Sequence, residues 1–429
     1  MRKKLELFYF FQIDDTAGFK NALHNSVVDI ITPTKAMLST ATQPQVAVNL
    51  AFSQTGLNKL GITGNLNDTT FSAGQASDAD FLGDPSTTNW KSVFKSPSTL
   101  HGVFLIASDD QTKIDTMVTF LESTFGSSQH NLYKLQGNVR PAPFEGHEQF
   151  GYMDGIAQPA VRGFNIFPHP GQLVVPAGII LTGETGDNAT RPAWTKDGSF
   201  LAFRELQQLV PEFDKFVADK AAPFDNFTAS QSAELFGARI VGRWKSGAPV
   251  DLAPRADDPT LAADPDRNNN FDYSHPPADI TSDQSRCPFH AHIRKSRPRA
   301  DLSAPRNTIM RAGIPYGPEV TTAERSAQAS NLTLERGLAF VSYQSRIADG
   351  FQFLQHNWLN NPGFIFGKNV DPGHEPLVGA NQNSTRFITG ADINNPTALL
   401  NITQDFIVSR GGEYFFSPSI SAIRNTISV

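Results

Sequence analysis

The chain has 429 residues, more than one ordinary core accommodates, which points to two domains or one large duplicated unit. Its 39% hydrophobic and 18% charged residues describe a globular chain and exclude a disordered one. A formal net charge of -6 argues against nucleic acid or an anionic membrane surface as the main partner, and no apolar run is long enough for a transmembrane helix.

The N-terminal MRKKLELFYFFQI looks superficially like a signal peptide, but Glu6 and Gln12 interrupt it and no small-residue cleavage site follows. Residues 5–13 are therefore expected to form a buried strand of the mature fold, with the leader outside the given sequence. A helix is expected near 17–31, a strand at 45–53 (PQVAVNLAF) and another at 101–108 (HGVFLIAS). Between 110 and 126 the apolar residues Ile114, Val118, Leu121 and Phe125 recur at helical spacing. A strand at 131–139 completes a β-α-β-β-α-β unit, an antiparallel sheet with helices on one face.

The same order returns more weakly: strand 198–205, helix 207–220, strands 306–313 and 336–344, helix 346–359 and strand 412–417. The expected fold is α+β, two ferredoxin-like halves with antiparallel sheets. The halves are assigned to residues 1–167 and 168–429, with the boundary near 165–170. Residues 245–305, rich in Pro, Asp, Asn and Arg, read as a long irregular insertion, and such loops are usually functional.

Two segments carry candidate chemistry. The first, HEQFGYMDGIAQPAV (147–161), puts Gly151, Asp154 and Gly155 just after a strand; an ordinary turn explains Asp-Gly equally well. The second is RCPFHAHIRKSRPR (286–299), followed by RNTIMRAGIPYGPEV (306–320). Histidine among arginines suits an anionic metallo-cofactor, although a solvated basic loop has the same composition. Zinc fits poorly, because His290, His292 and the single cysteine, Cys287, lack a second ligand pair at the usual spacing. The 33 phenylalanines favour an aromatic interior able to hold a flat apolar group.

GYMDG followed by IAQPAV resembles the G-x-x-D-G signature of the dye-decolorising peroxidases. AHIRKSRPR resembles that family's proximal histidine segment, MRAGIPYGPEV its distal arginine segment and ERGLAFVSYQ its distal apolar strand. The four motifs occur in family order between 144 and 345, and the first strand and terminal region resemble the fungal branch. The Gln-Gly-Asp motif that the family carries before its first strand has no counterpart in the given sequence.

The resemblance implies haem b, held mainly by the second half, with His292 as iron ligand rather than His290. It implies Asp154 and Arg311 as the pair that activates hydrogen peroxide, and Leu338 and Phe340 as apolar lining. It implies that Gly155 permits close approach to the porphyrin, and that Arg294 contacts a propionate. It implies a carboxylate behind the proximal histidine, Glu375 by register with Asp371 as the alternative. Trp358 matches a position used to relay electrons from bulky dyes, and Tyr316 is a second relay candidate. Ile347, Phe351, Leu354 and Trp358 also share one helical stripe, so Trp358 equally suits a plain core.

The implied reaction is peroxide-dependent one-electron oxidation of dyes and phenols. The alternative is a haem-binding or haem-handling protein with incidental peroxidase activity; a duplicated structural domain without cofactor is the third reading. A secreted, glycosylated monomer is expected, with sequons at Asn67, Asn188, Asn226, Asn331, Asn383 and Asn401.

Overall fold

A computed structural model describes residues 3–39, 42–164, 167–382 and 384–429. Asn383 and part of the expected boundary (165 and 166) lie outside the described residues. The first half contains strands β1 (Leu5–Ile13), β2 (Val46–Phe52) and β3 (Gly102–Ser108), helix α1 (Gln111–Phe125) and strand β4 (Gln129–Asn138). The second contains β5 (Ser199–Gln208), α2 (Val210–Lys220), α3 (Ala229–Val241), α4 (His292–Ser296), β6 (Met310–Arg311), β7 (Ile314–Tyr316), β8 (Gly337–Gln344) and β9 (Ile407–Ser417).

Within the first half the strands lie in the order β2-β3-β1-β4, and within the second in the order β7-β8-β5-β9. Taking β6 and β7 as one broken strand, both orders are second-third-first-fourth, so each half is a ferredoxin-like sheet. The sheets are not separate. Phe416 of β9 pairs with Phe52 of β2, and Gly137 of β4 pairs with Tyr316 of β7. These two seams close eight antiparallel strands into a barrel, which leaves few edges unpaired. The second seam needs glycine: a Cβ on Gly137 would stand 2.3 Å from Ile314 Cγ2.

Strand alternation divides the side chains between two cores. Phe8, Phe10, Phe203, Val341 and Phe415, drawn from strands all round the circuit, pack in one cluster and fill the barrel. Phe10 and Phe203 meet at 5.0 Å and 68°, a favourable edge contact. The opposite face of β1 and β3, with Tyr9, Phe11 and Phe104, packs against Ile114, Leu121 and Phe125 of α1. On the second half the outward face of β5 and β8 instead presents Arg204, Leu206, Leu338 and Phe340, paired across the strands as Phe340 with Arg204 and Leu338 with Leu206.

Several expectations need correction. The strand expected at 306–313 survives only as β6, with β7 resuming after Ala312-Gly313. The helix expected over 346–359 is a short turn, Phe351–Phe353, that widens into a π-helix over Leu354–Leu359. Helix α3 was not anticipated, although Thr228 and Gln231 form a reciprocal capping box at its start. The 245–305 insertion is irregular as expected, with short helical turns at Pro259–Ala263, His292–Ser296 and Arg299–Asp301. Its backbone is tied down by buried arginine: Arg239 donates to the carbonyls of Gln284, Arg286 and Gly390.

Candidate active site

Outside the barrel, between the outward faces of β5 and β8 and the 245–305 insertion, lies a cavity of about 910 Å³. That size suits a small organic ligand or cofactor. Asp154, Gly155, His292, Arg311, Leu338, Phe340 and Trp358 all line it. Glu375, Asp371, Arg294, His290 and Tyr316 are not among its lining residues.

Asp154 leaves a small hairpin in which Glu148 N–H donates to Tyr152 O and Gly151 N–H to Glu148 O, with Gly151 at φ 94°. Gly155 follows at φ 83°, a conformation that favours glycine, and its N–H donates to Asp154 Oδ1 at 2.6 Å. Arg311 Nη1 donates to the same oxygen at 2.8 Å. Both side chains are half-buried, so the pair is charged, hydrogen-bonded and open to the cavity. Glu148, which the sequence reading did not single out, shapes the hairpin. Its carboxylate accepts from Phe150 N at 2.9 Å, Tyr152 N at 2.8 Å and Gln208 Nε2. Burial pushes the Glu148 carboxyl up against these three donors.

His292 opens α4 and reaches the cavity wall. Its Nδ1 lies 3.1 Å from Glu375 Oε1, which leaves Nε2 for the cavity. Glu375 is fully buried and also accepts from the N–H groups of Leu377, Val378 and Gly379. Burial raises its proton affinity, but His292 and the backbone donors outweigh that, and the carboxyl is held below its usual range. Asp371 is exposed, and its carbonyl accepts from Thr389 Oγ1 at 2.8 Å. His290, two residues before His292, is fully buried, with Nδ1 2.6 Å from Thr389 O, and burial pushes it down to about 3.

Three expected residues stand elsewhere than anticipated. Arg294 is spent away from the cavity wall, its Nε and Nη2 on Asp301 at 2.7 and 2.9 Å and its Nη1 on Cys287 O. Arg297 and Arg299 line the cavity instead, and among the described residues both donate only to neutral acceptors such as Gly171 O and Asn269 Oδ1. Burial and then the neighbouring Arg299 push Arg297 down to about 10, the mark of a cation without a counter-charge. The RPR spacing was the available signal for this pair. Tyr316 points into the barrel and donates to Glu335 Oε1 at 3.1 Å, so it is not a surface residue. Trp358 is only 3% exposed and stacks on Phe364, with ring centroids 4.9 Å apart at 2°. It packs with Leu354, Phe364 and Ile365 and, with Phe351 and Leu354, lines the cavity wall.

The wall suits haem. A histidine with a carboxylate behind it can ligate iron, apolar Leu338, Phe340 and Leu354 can flank a flat ring, and Arg297 and Arg299 offer unfilled positive charge to carboxylates.

Residues 1–141 match the family profile described as DyP dimeric alpha+beta barrel domain, and residues 185–364 match Dyp-type peroxidase, C-terminal. The chain is 54% identical over 430 residues to a dye-decolorising peroxidase of Exidia glandulosa, covering 100% of this chain and 85% of that protein. The crystal structure of a decolorising peroxidase from Auricularia auricula-judae superposes with a TM-score of 0.96 at 51% identity, covering 100% of this chain and 97% of the other. A dye-decolorising peroxidase whose haem pocket was engineered for asymmetric sulfoxidation matches with a TM-score of 0.96 at 51% identity, covering 100% and 96%.

Proposed function

The chain belongs to the family of dye-decolorising peroxidases, and from that premise we propose that it is a haem b peroxidase that uses hydrogen peroxide to oxidise dyes and phenols in one-electron steps. The observation that carries this reading is that His292, backed by Glu375, and the Asp154–Arg311 pair open into one cavity. Mere haem binding or haem handling has no use for the second pair.

Haem, when bound, would supply the redox-active iron through which the oxidising equivalents of hydrogen peroxide reach the substrate. His292 Nε2 would hold the iron, and Glu375, accepting a hydrogen bond from Nδ1–H, would fix the ring and raise its basicity. Arg297 and Arg299 would take the propionates, the role first assigned to Arg294. Leu338 and Phe340 would make the peroxide side apolar. Asp154 accepts the proton from one peroxide oxygen and returns it at the other, which leaves as water. Arg311 orients Asp154 through Oδ1 and stabilises negative charge as the O–O bond breaks. A carboxylate base stays ionised in moderately acid solution, where an imidazole is already protonated, so turnover extends to acid pH.

Secretion and glycosylation belong to the same proposal: Asn67, Asn188, Asn226, Asn331 and Asn401 are all exposed. The test of the function is haem reconstitution followed by a peroxide titration. A Soret band and peroxide-dependent bleaching of an anthraquinone dye are expected. A Soret band without bleaching would leave haem handling as the reading.

A further inference from the structure

Arg311 occupies β6, which pairs with β8 on one side only, Arg311 opposite Ser342 and Met310 opposite Tyr343. Its own N–H and C=O are therefore edge groups, and a strand edge of this kind needs a partner to hold its position. Gln158 takes both. Its Oε1 accepts the Arg311 N–H at 3.1 Å, and its Nε2 donates to the Arg311 carbonyl at 2.7 Å. The side-chain amide thus stands in for a neighbouring strand. Gln158 is itself tied down, since its carbonyl accepts from Gln172 Nε2 at 3.1 Å.

Four residues earlier on the same loop, Asp154 Oδ1 accepts from Arg311 Nη1 at 2.8 Å. One short loop therefore grips Arg311 at both ends, guanidinium and backbone. The two grips depend on each other: a slip of β6 along β8 would withdraw the guanidinium from Asp154.

We propose that Gln158 is a positioning residue for Arg311, holding its backbone so that the guanidinium meets both Asp154 and the peroxide. This rests on the peroxidase reading above. Gln158 transfers no proton. It acts only through Arg311, and misplacement of a reacting group by about 1 Å costs on the order of 10²-fold in rate.

The test uses the full chain loaded with haem. Gln158→Met keeps the length of the side chain and removes both hydrogen bonds. The second-order rate of reaction with peroxide is expected to fall ten- to a hundredfold, with the Soret band and the subsequent rate of reduction by a small phenol unchanged. In an Arg311→Leu background the same substitution is expected to add no further loss, because coupled residues are not additive. A wild-type peroxide rate in Gln158→Met, or an equal factor in the Arg311→Leu background, overturns the proposal. Should Gln158→Met fail to take up haem, Gln158→Asn retains the amide but is one methylene short of Arg311, and the same outcomes apply. A crystal structure of the variant separates this proposal from the peroxidase reading. An Arg311–Asp154 contact left unmoved defeats the positioning role whatever the rate, whereas a displaced Arg311 with unchanged peroxide chemistry defeats the catalytic role given to Arg311.

Discussion

His290 and His292 stand two residues apart in one segment, and their surroundings divide them. His290 spends Nδ1 on a backbone carbonyl inside the core, whereas His292 turns to the cavity with a carboxylate behind it. His292→Ala is therefore expected to lose the Soret band on reconstitution, and His290→Ala to keep it while unfolding more easily. Haem content and thermal midpoint of the two variants check this, and the reverse pattern would exchange the assignments. On the other side of the cavity, Arg311→Leu is expected to slow the peroxide-dependent step by about 10²–10³-fold, the usual cost of removing one charge-stabilising donor. Asp154→Asn keeps the shape but loses the base, and is expected to cost about 10²–10⁴-fold across acid pH. Stopped-flow mixing with peroxide measures both, and unchanged rates would dismiss the pair from the chemistry. Family motifs made His292, Asp154 and Arg311 legible, because each is read within a fixed run of neighbours. Gln158 escaped the sequence reading because its role lies in a contact with distant backbone, that of Arg311 across 153 positions, whereas Glu148 lies within a local hairpin and Arg297 and Arg299 stood in the RPR run beside the Arg294 that was chosen.

Regular elements were legible where burial alternates or recurs on one stripe. Strand β1 and helix α1 fall within two residues of their expected bounds, because Phe8 and Phe10 face the barrel interior while Ile114, Val118, Leu121 and Phe125 face the sheet. Helix α3 was missed because its second half, from Leu235 to Val241, is buried on every side and shows no polar stripe. The element around Trp358 tests the relay. Trp358 forms part of a π-helix, lines the cavity, and stacks on Phe364, which in turn meets Phe366 at 5.4 Å and 79°, and Phe366 is 62% exposed. Replacing so buried a ring by serine removes packing worth about 3–5 kcal/mol as well as the indole, so Trp358→Ser alone cannot separate the two roles. Trp358→Phe keeps most of the packing and is harder to oxidise. It is expected to lose activity on bulky dyes while retaining small phenols and, within a few degrees, the thermal midpoint. Equal losses on both substrate classes would assign Trp358 to the core stripe alone.

For the molecule as a whole, the repeated element order was legible and the closure was not. The halves meet through the pairings of Phe416 with Phe52 and Gly137 with Tyr316, contacts too short to leave a sequence pattern. The closed barrel buries ionisable groups that an open sheet would leave wet, and this makes stability depend on pH. Burial pushes Glu413 of β9 up to about 7, although the N–H groups of Gln75 and Tyr414 both donate to its Oε1. Its folded value lies above its unfolded one, so the folded chain binds more protons between the two. The stability it contributes is fully present below about pH 4.5 and lost as pH rises through about 7. A shift of that size corresponds to about 3 kcal/mol. His290 and His374, pushed down by burial to about 3 and about 4, pull the other way. Their contribution is present above the ordinary imidazole range and is lost as pH falls towards those values. Since these opposing groups cloud the wild-type profile, the informative quantity is the difference made by one substitution. Glu413→Gln keeps an oxygen for both backbone donors and removes the titration. Its stability relative to wild type is expected to grow by up to about 3 kcal/mol between pH 4.5 and pH 8. Urea midpoints of both proteins at several pH values measure it. A difference that stays constant across that range would mean that Glu413 is already ionised in the folded barrel at acid pH, with its two backbone donors overcoming the burial.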